Sequence, residues 1–375
     1  MDALMLPLNW QRVRLGDIAE INPPTIIPNV FYYIDLENVE KGQLLNKQLM
    51  TKNKAPSRAR RLLSKNDILY QLVRPYQRNN YFFTLNGDYV ASTGYAQIRT
   101  LQNPSFLYFA LHSNYFVNAV LDRCEGTSYP AVSSNELKKC EVILPPLNEQ
   151  SAIANILSDV DRYLYNLDAL ILKKESVKKA LSFELLSQRK RLKGFNQAWQ
   201  RVRLGDICEI VKGQQINKIS LNNTDKYPVI NGGIDFLGYT NKFNVSKNTI
   251  AISEGGTCGY VRFMTSDFWS GGHNYSLQKI NNKVNNLCLY HILKSYEKDI
   301  MKLGVGSGLK NIQLKALKDF EILLPPLNEQ SAIANILSAL DNEITSLKNK
   351  KRQFENIKKA LNHDLMSAKI RVLEK

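Results

Sequence analysis

Two stretches of the chain carry apolar residues at alternating steps of three and four positions, the spacing of a coiled-coil seam. Residues three or four apart share one face of an α-helix, so each stretch is predicted to form one amphipathic helix, about 55 to 60 Å long. Neither helix is apolar on all sides, and we therefore expect the two to pack against each other, antiparallel. The predicted packing positions are Ile153, Ile156, Val160, Leu164, Leu167 and Ile171 in the first helix and Ile333, Ile336, Leu340, Ile344, Leu347 and Phe354 in the second.

The start of each predicted helix belongs to a long internal repeat. Residues Leu144–Ser158 return letter for letter as Leu324–Ser338, 180 positions later. A second repeat lies upstream, where Gln11–Ile18 reappears as Gln200–Ile207. Two copies are too few for a solenoid, which needs at least three stacked units. The pattern indicates a tandem duplication with two-fold pseudosymmetry.

The repeats divide the chain into four predicted segments. Residues 1–147 and 198–327 are two domains of mixed composition, 148–197 is the central coiled-coil helix with a linker, and 328–375 is the C-terminal coiled-coil helix. Pro145 and Pro146 end the preceding strand, Asn148 is the expected N-cap, and Glu149 lies in the first turn, where the helix dipole favours an acid. The predicted fold class is α+β, with two mixed α/β domains joined by two long antiparallel helices.

The first domain contains a strongly basic stretch, Lys52–Arg78, which holds a single acid, Asp67. Aromatic and amide side chains follow closely. Arg and Lys bind phosphates, Arg can donate two hydrogen bonds to guanine, and Asn can pair with adenine, so this mixture is typical of a DNA-binding surface. The alternative is a solvated loop. The candidate DNA-binding residues are Arg58, Arg60, Arg61, Arg74, Tyr76, Arg78, Asn79 and Asn80.

The second domain differs from the first in its variable part, which is rich in Gly, Asn and Tyr. Glycines let a backbone turn sharply or approach a ligand closely, and short polar side chains on such loops can contact bases. Plain β-turns in a small barrel-like sheet are the alternative. The candidate DNA-binding residues here are Lys212, Gln214, Gln215, Asn231, Gly232, Thr257, His273 and Asn274.

The formal net charge of +16 points to an acidic partner, either nucleic acid or an anionic membrane. The excess of Lys and Arg is spread over all four segments. No basic amphipathic helix with Trp or Phe on its apolar face and no apolar run of about 18 residues is present, so nucleic acid is favoured over a membrane. Five scattered cysteines without a CxxC pair, and no leader sequence, predict a cytoplasmic chain with reduced thiols.

No motif of a working active site stands out. Asn22–Thr25 reads Asn-Pro-Pro-Thr and lacks the aromatic residue that follows this sequence in adenine methyltransferases. The Gly304–Gly308 stretch lacks the lysine of a phosphate loop, and the four histidines have no metal-ligand spacing. The chain is therefore predicted to be non-catalytic, with no metal and no cofactor of its own.

The doubled Leu-Pro-Pro-Leu-Asn-Glu-Gln segment, each copy opening a long helix and following a dissimilar domain that starts with Leu-Gly-Asp-Ile, resembles the specificity subunit of type I restriction-modification systems. The resemblance covers essentially the whole chain. It implies that each domain reads one half of a gapped site in double-stranded DNA. It further implies that the helices set the gap and dock two adenine-N6 methyltransferase subunits, which bind S-adenosylmethionine. Restriction translocase-nuclease subunits, which use ATP and Mg, would complete the complex.

Two other functions remain open from the residues alone. One is a stand-alone DNA methyltransferase or nuclease, which binding of S-adenosylmethionine by the purified chain would support. The other is a basic coiled-coil adaptor without sequence-specific DNA binding. DNA binding that requires a methyltransferase subunit would separate the specificity subunit from both.

Overall fold

The structure, a computed structural model, describes residues 6–373, and the chain divides into two compact units. Unit 1 contains the residues up to Asp168 and those from Lys350 onward, and unit 2 contains Ala169–Asn349. Both long helices therefore contribute to both units. The two units are defined by contacts, whereas the four segments predicted from the sequence separate the domains from the long helices. The four-segment division therefore stays a prediction.

Unit 1 combines small sheets with short helices. Its strands are β1 (Gln11–Arg14), β2 (Ala19–Ile21), β3 (Val30–Ile34), β4 (Val39–Glu40), β5 (Gln43–Leu44), β6 (Gln48–Thr51), β7 (Ala59–Leu62), β8 (Ile68–Gln71), β9 (Tyr81–Phe82), β10 (Tyr89–Ser92), β11 (Tyr95–Thr100) and β12 (Glu141–Leu144). Its helices are α1 (Leu15–Ile18), α2 (Pro104–Ala110), α3 (Asn114–Leu121), α4 (Ser134–Lys139) and the first part of α5 (Leu147–Leu186). Two four-stranded sheets, β6-β3-β10-β7 and β2-β11-β8-β9, form its centre.

Unit 2 follows the same plan with different strands. They are β13 (Gln200–Arg203), β14 (Glu209–Lys212), β15 (Tyr227–Ile230), β16 (Gly238–Thr240), β17 (Thr249–Ser253), β18 (Val261–Met264), β19 (Trp269–Ser270), β20 (Asn274–Gln278), β21 (Gly304–Val305), β22 (Asn311–Ile312) and β23 (Glu321–Leu324). The helices are α6 (Leu204–Ile207), α7 (Asn286–Ser295), α8 (Glu297–Met301), α9 (Leu314–Lys318) and part of α10 (Leu327–Met366). The main sheets have the orders β14-β20-β17-β18 and β16-β15-β19.

The upstream repeat forms the same small sheet in each unit. Strand β1 pairs antiparallel with β12, and β13 pairs with β23 in the matching register. The next turn packs closely on a short helix: a Cβ placed on Gly16 would lie 3.1 Å from Lys138, and one placed on Gly205 would lie 3.1 Å from Lys318. In each unit, the first strand of the repeat therefore pairs with the strand that directly precedes the long helix.

The repeated Glu and Gln of the long helices are buried and hold each domain to its helix. In unit 1, Glu149 accepts hydrogen bonds from Trp10 Nε1 at 3.1 Å and from Arg371 Nε at 2.7 Å. Gln150 Oε1 accepts from the backbone N of Asn103 at 3.1 Å, and Gln150 Nε2 donates to the Pro145 carbonyl at 2.8 Å. A buried polar group needs such partners, since leaving it unpaired is costly.

Unit 2 repeats this arrangement with its own residues. Glu329 binds Arg191 Nε at 2.8 Å and Trp199 Nε1 at 3.0 Å. Gln330 Oε1 accepts from the backbone N of Asn285 at 2.7 Å. The Leu-Asn-Glu-Gln sequence thus specifies one joint, built twice, that does not depend on the variable strands.

The two long helices run antiparallel within each unit. In unit 1, Lys351 pairs with Asp168 at 2.5 Å and Lys358 pairs with Asp161, so the partner number falls as the first rises. In unit 2, Lys174 pairs with Glu343 at 2.7 Å and Lys178 with Asp341. The predicted fold class, with mixed domains and antiparallel long helices, is confirmed.

Most predicted packing positions on the helices are buried or half-buried, and Ile156 is the exception. Its side chain is 36% exposed, whereas its neighbour Leu157 is fully buried with Ile153 in the core of unit 1. The first turns of α5 pack against the domain as well as beside α10, and this shifts the buried face. Ile333 and Leu337 repeat the pattern in unit 2. The remaining positions are Val160, Leu164, Leu167, Ile171, Ile336, Leu340, Ile344, Leu347 and Phe354, all buried or half-buried.

Two boundaries differ from the sequence expectation. The apolar positions of Pro104–Leu121, such as Phe106, Leu107 and Val117, predict one helix over this stretch. The structure has two helices there, α2 and α3, because Ser113 caps the second by accepting a hydrogen bond from Phe116 N. Helix α5 begins at Leu147, one residue before the expected cap Asn148, and Gln150 N donates to the Pro146 carbonyl.

Candidate DNA-recognition surfaces

In unit 1, the loop after β8 lies beside a hairpin that leads toward α4. We call these the unit 1 loop (residues 72–80) and the unit 1 hairpin (residues 125–132). The backbone N of Val132 donates to the Leu72 carbonyl at 3.0 Å, and the N of Arg74 donates to the Pro130 carbonyl at 2.7 Å. Two segments about 50 residues apart in the sequence therefore form one surface.

Arg74 and Tyr129 form the centre of this surface. The Arg74 guanidinium carbon lies 4.1 Å from the centroid of the Tyr129 ring, which is a cation–π contact. Arg74 adopts a left-handed backbone conformation with φ of 53°, and its Nε is buried without a hydrogen-bond partner. Tyr76 and Tyr129 are 50% and 65% exposed. An oriented Arg with exposed aromatic neighbours is chemically suited to contact nucleic acid.

Three of the other candidates in the unit 1 loop are engaged inside the protein. Arg78 donates to the His112 carbonyl at 2.9 Å and to Asn114 Oδ1 at 2.7 Å. Asn80 is buried and accepts from Gln71 N at 2.8 Å. Asn79 accepts from Lys41 N at 3.2 Å. These three side chains support the loop through contacts inside the protein, and Asn80 is fully enclosed by them.

The three remaining candidate cations of the basic stretch lie on or near β7. Arg58 donates to the Tyr33 hydroxyl at 3.2 Å and forms an ion pair with Asp35. Arg60 is exposed and donates to the Ser57 carbonyl at 2.8 Å. Arg61 is half-buried, and burial, followed by the charge of Arg60, lowers its pKa. The structure therefore separates these residues from Arg74 by their position and contacts.

In unit 2, the glycine-rich stretches come together as one set of loops. Thr257 N donates to the Gly232 carbonyl, Glu254 N to the His273 carbonyl and Gln214 N to the Ser270 carbonyl, each at 2.8 Å. The loops approach so closely that a Cβ on Gly213 would lie 2.1 Å from the Gly271 carbonyl oxygen. Glycine is required there because any other side chain would collide with backbone.

The unit 2 loops bring all eight candidates of the second domain into one region. Gln214, Gln215 and His273 are exposed, and Lys212 is exposed while paired with Glu254 at 2.8 Å. The side chains of the other polar candidates are partly or fully enclosed: Asn231 Oδ1 accepts from His273 N at 3.0 Å, Thr257 is half-buried, and Asn274 is 1% exposed. The accessible polar groups are therefore mainly amide and imidazole, unlike those of unit 1.

The unit 2 hairpin (residues 304–312) occupies the place that the unit 1 hairpin has in unit 1. Ile312 N donates to the Glu254 carbonyl at 2.9 Å, as Val132 N does to Leu72. Both hairpins turn through a glycine with positive φ, Gly126 at 88° and Gly306 at 131°. The sequence reading missed both hairpins as binding candidates. The spacing of 180 residues between these glycines, the same as that of the repeated helices, could have revealed them.

Two histidines, one in each unit, are neutral at ordinary pH. Burial lowers the pKa of His112 to about 4, and it lowers that of His291 to about 4 as well. His112 Nδ1 lies 2.7 Å from the Tyr108 carbonyl, and His291 Nε2 lies 3.2 Å from Ser338 Oγ. These contacts hold both rings within the fold.

Within residues 6–373, no group of three or more His, Cys, Asp or Glu side chains is arranged to hold a metal ion. The helices described over the same range include none with the length and apolar character needed to cross a membrane. The Asn-Pro-Pro-Thr stretch follows β2 as a turn, in which Asn22 Nδ2 donates to Ser134 Oγ at 2.9 Å.

Comparison with known families gives a match over most of the chain. The model of the type I restriction modification DNA specificity domain matches twice, over residues 7–174 and 196–356. The two matches correspond to the two halves of the sequence repeat.

Relatives with sequence similarity carry the same name. The chain is 25% identical to the type I restriction enzyme MjaVIII specificity subunit of Methanocaldococcus jannaschii, over 99% of this chain and 95% of that protein. A Mycoplasma pneumoniae protein named as a type I specificity subunit is 39% identical, but the match covers only 40% of this chain and 41% of that protein.

Solved structures show the same fold. The crystal structure of the type I restriction-modification S subunit from M. genitalium superposes with a TM-score of 0.70 and 20% identity, covering 96% of this chain and 98% of that one. A chain from a study of complex assembly and conformational transition of the type I restriction-modification system has a TM-score of 0.56 and 22% identity, with the same coverage.

Proposed function

Because this chain belongs to the type I restriction modification DNA specificity family, we propose that it selects the DNA sequence on which a type I complex acts. Each unit reads one half of a split site in double-stranded DNA. The observation that carries this proposal is the contrast between a repeated framework and two unlike polar surfaces, an Arg-Tyr surface in unit 1 and an amide-rich surface in unit 2. Two unlike readers require an asymmetric target.

In unit 1, the Arg74 side chain is the principal reader. Stacking on Tyr129 fixes the plane of its guanidinium, so that the planar fork of donors can pair with O6 and N7 of guanine in the major groove. In unit 2, Gln214, Gln215 and His273 present hydrogen-bonding groups that suit adenine or other base edges. Lys and Arg elsewhere contact phosphates, and binding should weaken steeply with salt.

The long helices set the distance between the half-sites and dock the partners. The partners are two adenine-N6 methyltransferase subunits that bind S-adenosylmethionine, and restriction translocase-nuclease subunits that use ATP and Mg. This chain contributes no catalytic group, and it works in the cytoplasm. The ion pairs that fix the helix register, such as Lys351 with Asp168, support a rigid spacer.

The test of this function is to co-express the chain with a methyltransferase subunit of a type I system, in cells that lack adenine methylation, and to map N6-methyladenine across the genome. We expect a new split motif. In Arg74→Ala the half-site read by unit 1 should relax or disappear, whereas the exposed control Lys65→Ala should leave the motif unchanged. A complex that assembles and methylates no split motif would contradict the proposal and favour a coiled-coil adaptor.

The spacer role has its own test. One helical turn inserted after Ser158, with a matching turn after Ala360, which lies opposite in the register set by the Lys358–Asp161 pair, keeps the helices paired. It should lengthen the gap by about one or two base pairs, since a turn rises about 5.4 Å and a base pair about 3.4 Å. The half-sites should stay the same. An unchanged gap in the methylation map would argue against the helices as the spacer.

A further inference from the structure

Unit 1 contains a cavity that the proposed reading of DNA bases does not use. It has a volume of about 470 Å³ and lies between the turn Asn22–Thr25 and the segment that runs from Lys52 to Arg61. Three prolines, Pro23, Pro24 and Pro56, form part of its wall, together with the buried ring of Phe31. Prolines have a fixed φ, so these walls are stiff.

The charge of the lining is entirely positive. Lys52, Arg60 and Arg61 line the cavity, and no residue of its lining is acidic. In the part of the chain that the structure describes, Lys52 and Arg61 form no ion pair, and Arg60 is held by the Ser57 carbonyl rather than by a carboxylate. Three cations with no counter-charge repel one another.

Arg61 shows most clearly that a partner belongs here. Its Nε is buried and has no hydrogen-bond partner. Burial and the neighbouring Arg60 both disfavour its charged form and lower its pKa. A half-buried charge without a counter-charge costs free energy, and an anion in the cavity that Arg61 lines would offset that cost.

We propose that this cavity is a phosphate-binding site in which Arg61, Arg60 and Lys52 hold the oxygens of a phosphoryl group. A guanidinium fork matches the spacing of phosphate oxygens, and the hydroxyls of Thr25 and Ser57, which also line the cavity, can donate further hydrogen bonds. The volume exceeds that of one phosphate, so a phosphate that belongs to a larger group, such as a nucleotide unit, also fits.

The place of the cavity connects it with the base-reading surface of unit 1. Asn22, which lines it, donates to Ser134 Oγ at 2.9 Å. Ser134 lies two residues after Val132, whose backbone N bonds the Leu72 carbonyl at the start of the unit 1 loop. A phosphodiester of bound DNA is therefore one source of the phosphate, and this source rests on the proposed function. A free nucleotide is the other.

The first experiment needs neither a methyltransferase nor a known recognition sequence. The melting temperature of the full chain is measured in sodium chloride, in sodium phosphate at equal ionic strength, and with added 2′-deoxyadenosine 5′-monophosphate. Phosphate or the nucleotide should raise the melting temperature of the wild type and of the exposed control Lys65→Met, and not that of Arg61→Met. In chloride, Arg61→Met should melt no lower than the wild type, because it removes an unpaired, half-buried charge.

The second experiment separates the two sources. Binding of a mixed-sequence 30-base-pair duplex by the chain assembled with a methyltransferase subunit is measured against salt concentration by fluorescence anisotropy. Loss of one phosphate contact should reduce the slope of log affinity against log salt by about 1 in Arg61→Met and not in Lys65→Met. A reduced slope assigns the site to DNA, and stabilisation by the free anions with an unchanged slope assigns it to a nucleotide.

An Arg61→Met variant that keeps both the full response to phosphate and the full salt slope would overturn the proposal. A variant that melts well below the wild type in chloride would also overturn it, because Arg61 would then serve the fold. Neither result bears on the split methylation motif, so the two proposals can fail separately.

Discussion

The two candidate recognition surfaces share a framework and differ in nearly every side chain that they expose. In unit 1 the loop and hairpin present Arg74, Tyr76 and Tyr129, whereas in unit 2 the corresponding loops present glycines, amides and His273. Yet Val132 and Ile312 make the same backbone bond, and Gln150 and Gln330 hold the domains to their helices in the same way. The difference teaches that backbone contacts and the repeated helix carry the fold, which leaves the loop side chains free to vary.

The largest effect should come from the shared framework. Ile153→Ala and Ile333→Ala each remove a fully buried side chain at matching positions, and each should reduce the free energy of unfolding by about 2 to 5 kcal/mol. Urea denaturation checks this. Ile156→Ala, at a position 36% exposed, should cost clearly less. Unequal losses at the two buried sites would show that the halves are not equivalent.

The next largest effects should come from single substitutions in the two candidate recognition surfaces, each of which should affect a different half-site. Arg74→Ala should weaken discrimination in one half-site and Gln215→Ala in the other, each by about 10- to 100-fold for the affected base, since a good base contact contributes about 1 to 3 kcal/mol. Competition binding by the assembled complex, with duplexes mutated in one half-site at a time, measures both. If either variant relaxed both half-sites, the units would not read independently.

Acid should weaken both units through their buried histidines. The pKa of His112 and of His291 is about 4 in the folded chain, below the ordinary value of 6.5. The unfolded chain therefore binds protons first as the pH falls below 6.5, and stability declines until about pH 4, where the folded rings also protonate. His291→Gln should flatten the unit 2 part of this decline, measured by urea titrations at pH 7 and pH 5. An equally steep decline in the variant would exclude His291 as its source.

The smallest effect should come from the helix ion pairs, which repeat at 180 positions. Lys178 pairs with Asp341 in unit 2, and Lys358 pairs with Asp161 in unit 1. These side chains are about a quarter to a third exposed, so solvent screens them, and each pair should contribute less than about 1 kcal/mol. Double-mutant cycles would measure this. A coupling free energy of several kcal/mol in only one of the two pairs would show that the matching pairs lie in different environments.

Sequence reasoning predicted the framework well because its signals are local or repeated. The three-four spacing, the identical segments and the paired openings predict long antiparallel helices and two mixed domains. The exact buried face was harder to predict. Leu157 is buried and Ile156 is exposed, because the first turns of α5 also pack against the rest of unit 1. The break at Ser113 was missed because a Ser cap inside an apolar stretch gives a weak signal.

The candidate site was predicted as a region but not as a set of contacts. All eight residues of the second domain come together, since their glycine-rich loops must cross closely. In the first domain, Arg78, Asn79 and Asn80 have the residue types of base readers but are engaged by His112, Asn114, Lys41 and Gln71. Their partners lie up to 38 positions away in the sequence, so no local sequence pattern predicts these contacts.

The sequence by itself determined that this protein is a duplicated chain with two unlike domains on two copies of one helix. Identical segments of 15 residues offer the same caps, the same buried Glu and Gln and the same apolar face, and so they form the same joint. Only the tertiary structure decided which cations remain available. Arg74 lies on Tyr129, Arg78 supports a loop, and Arg61 lines a cavity, because the fate of a long charged side chain depends on neighbours that the fold brings from distant parts of the sequence.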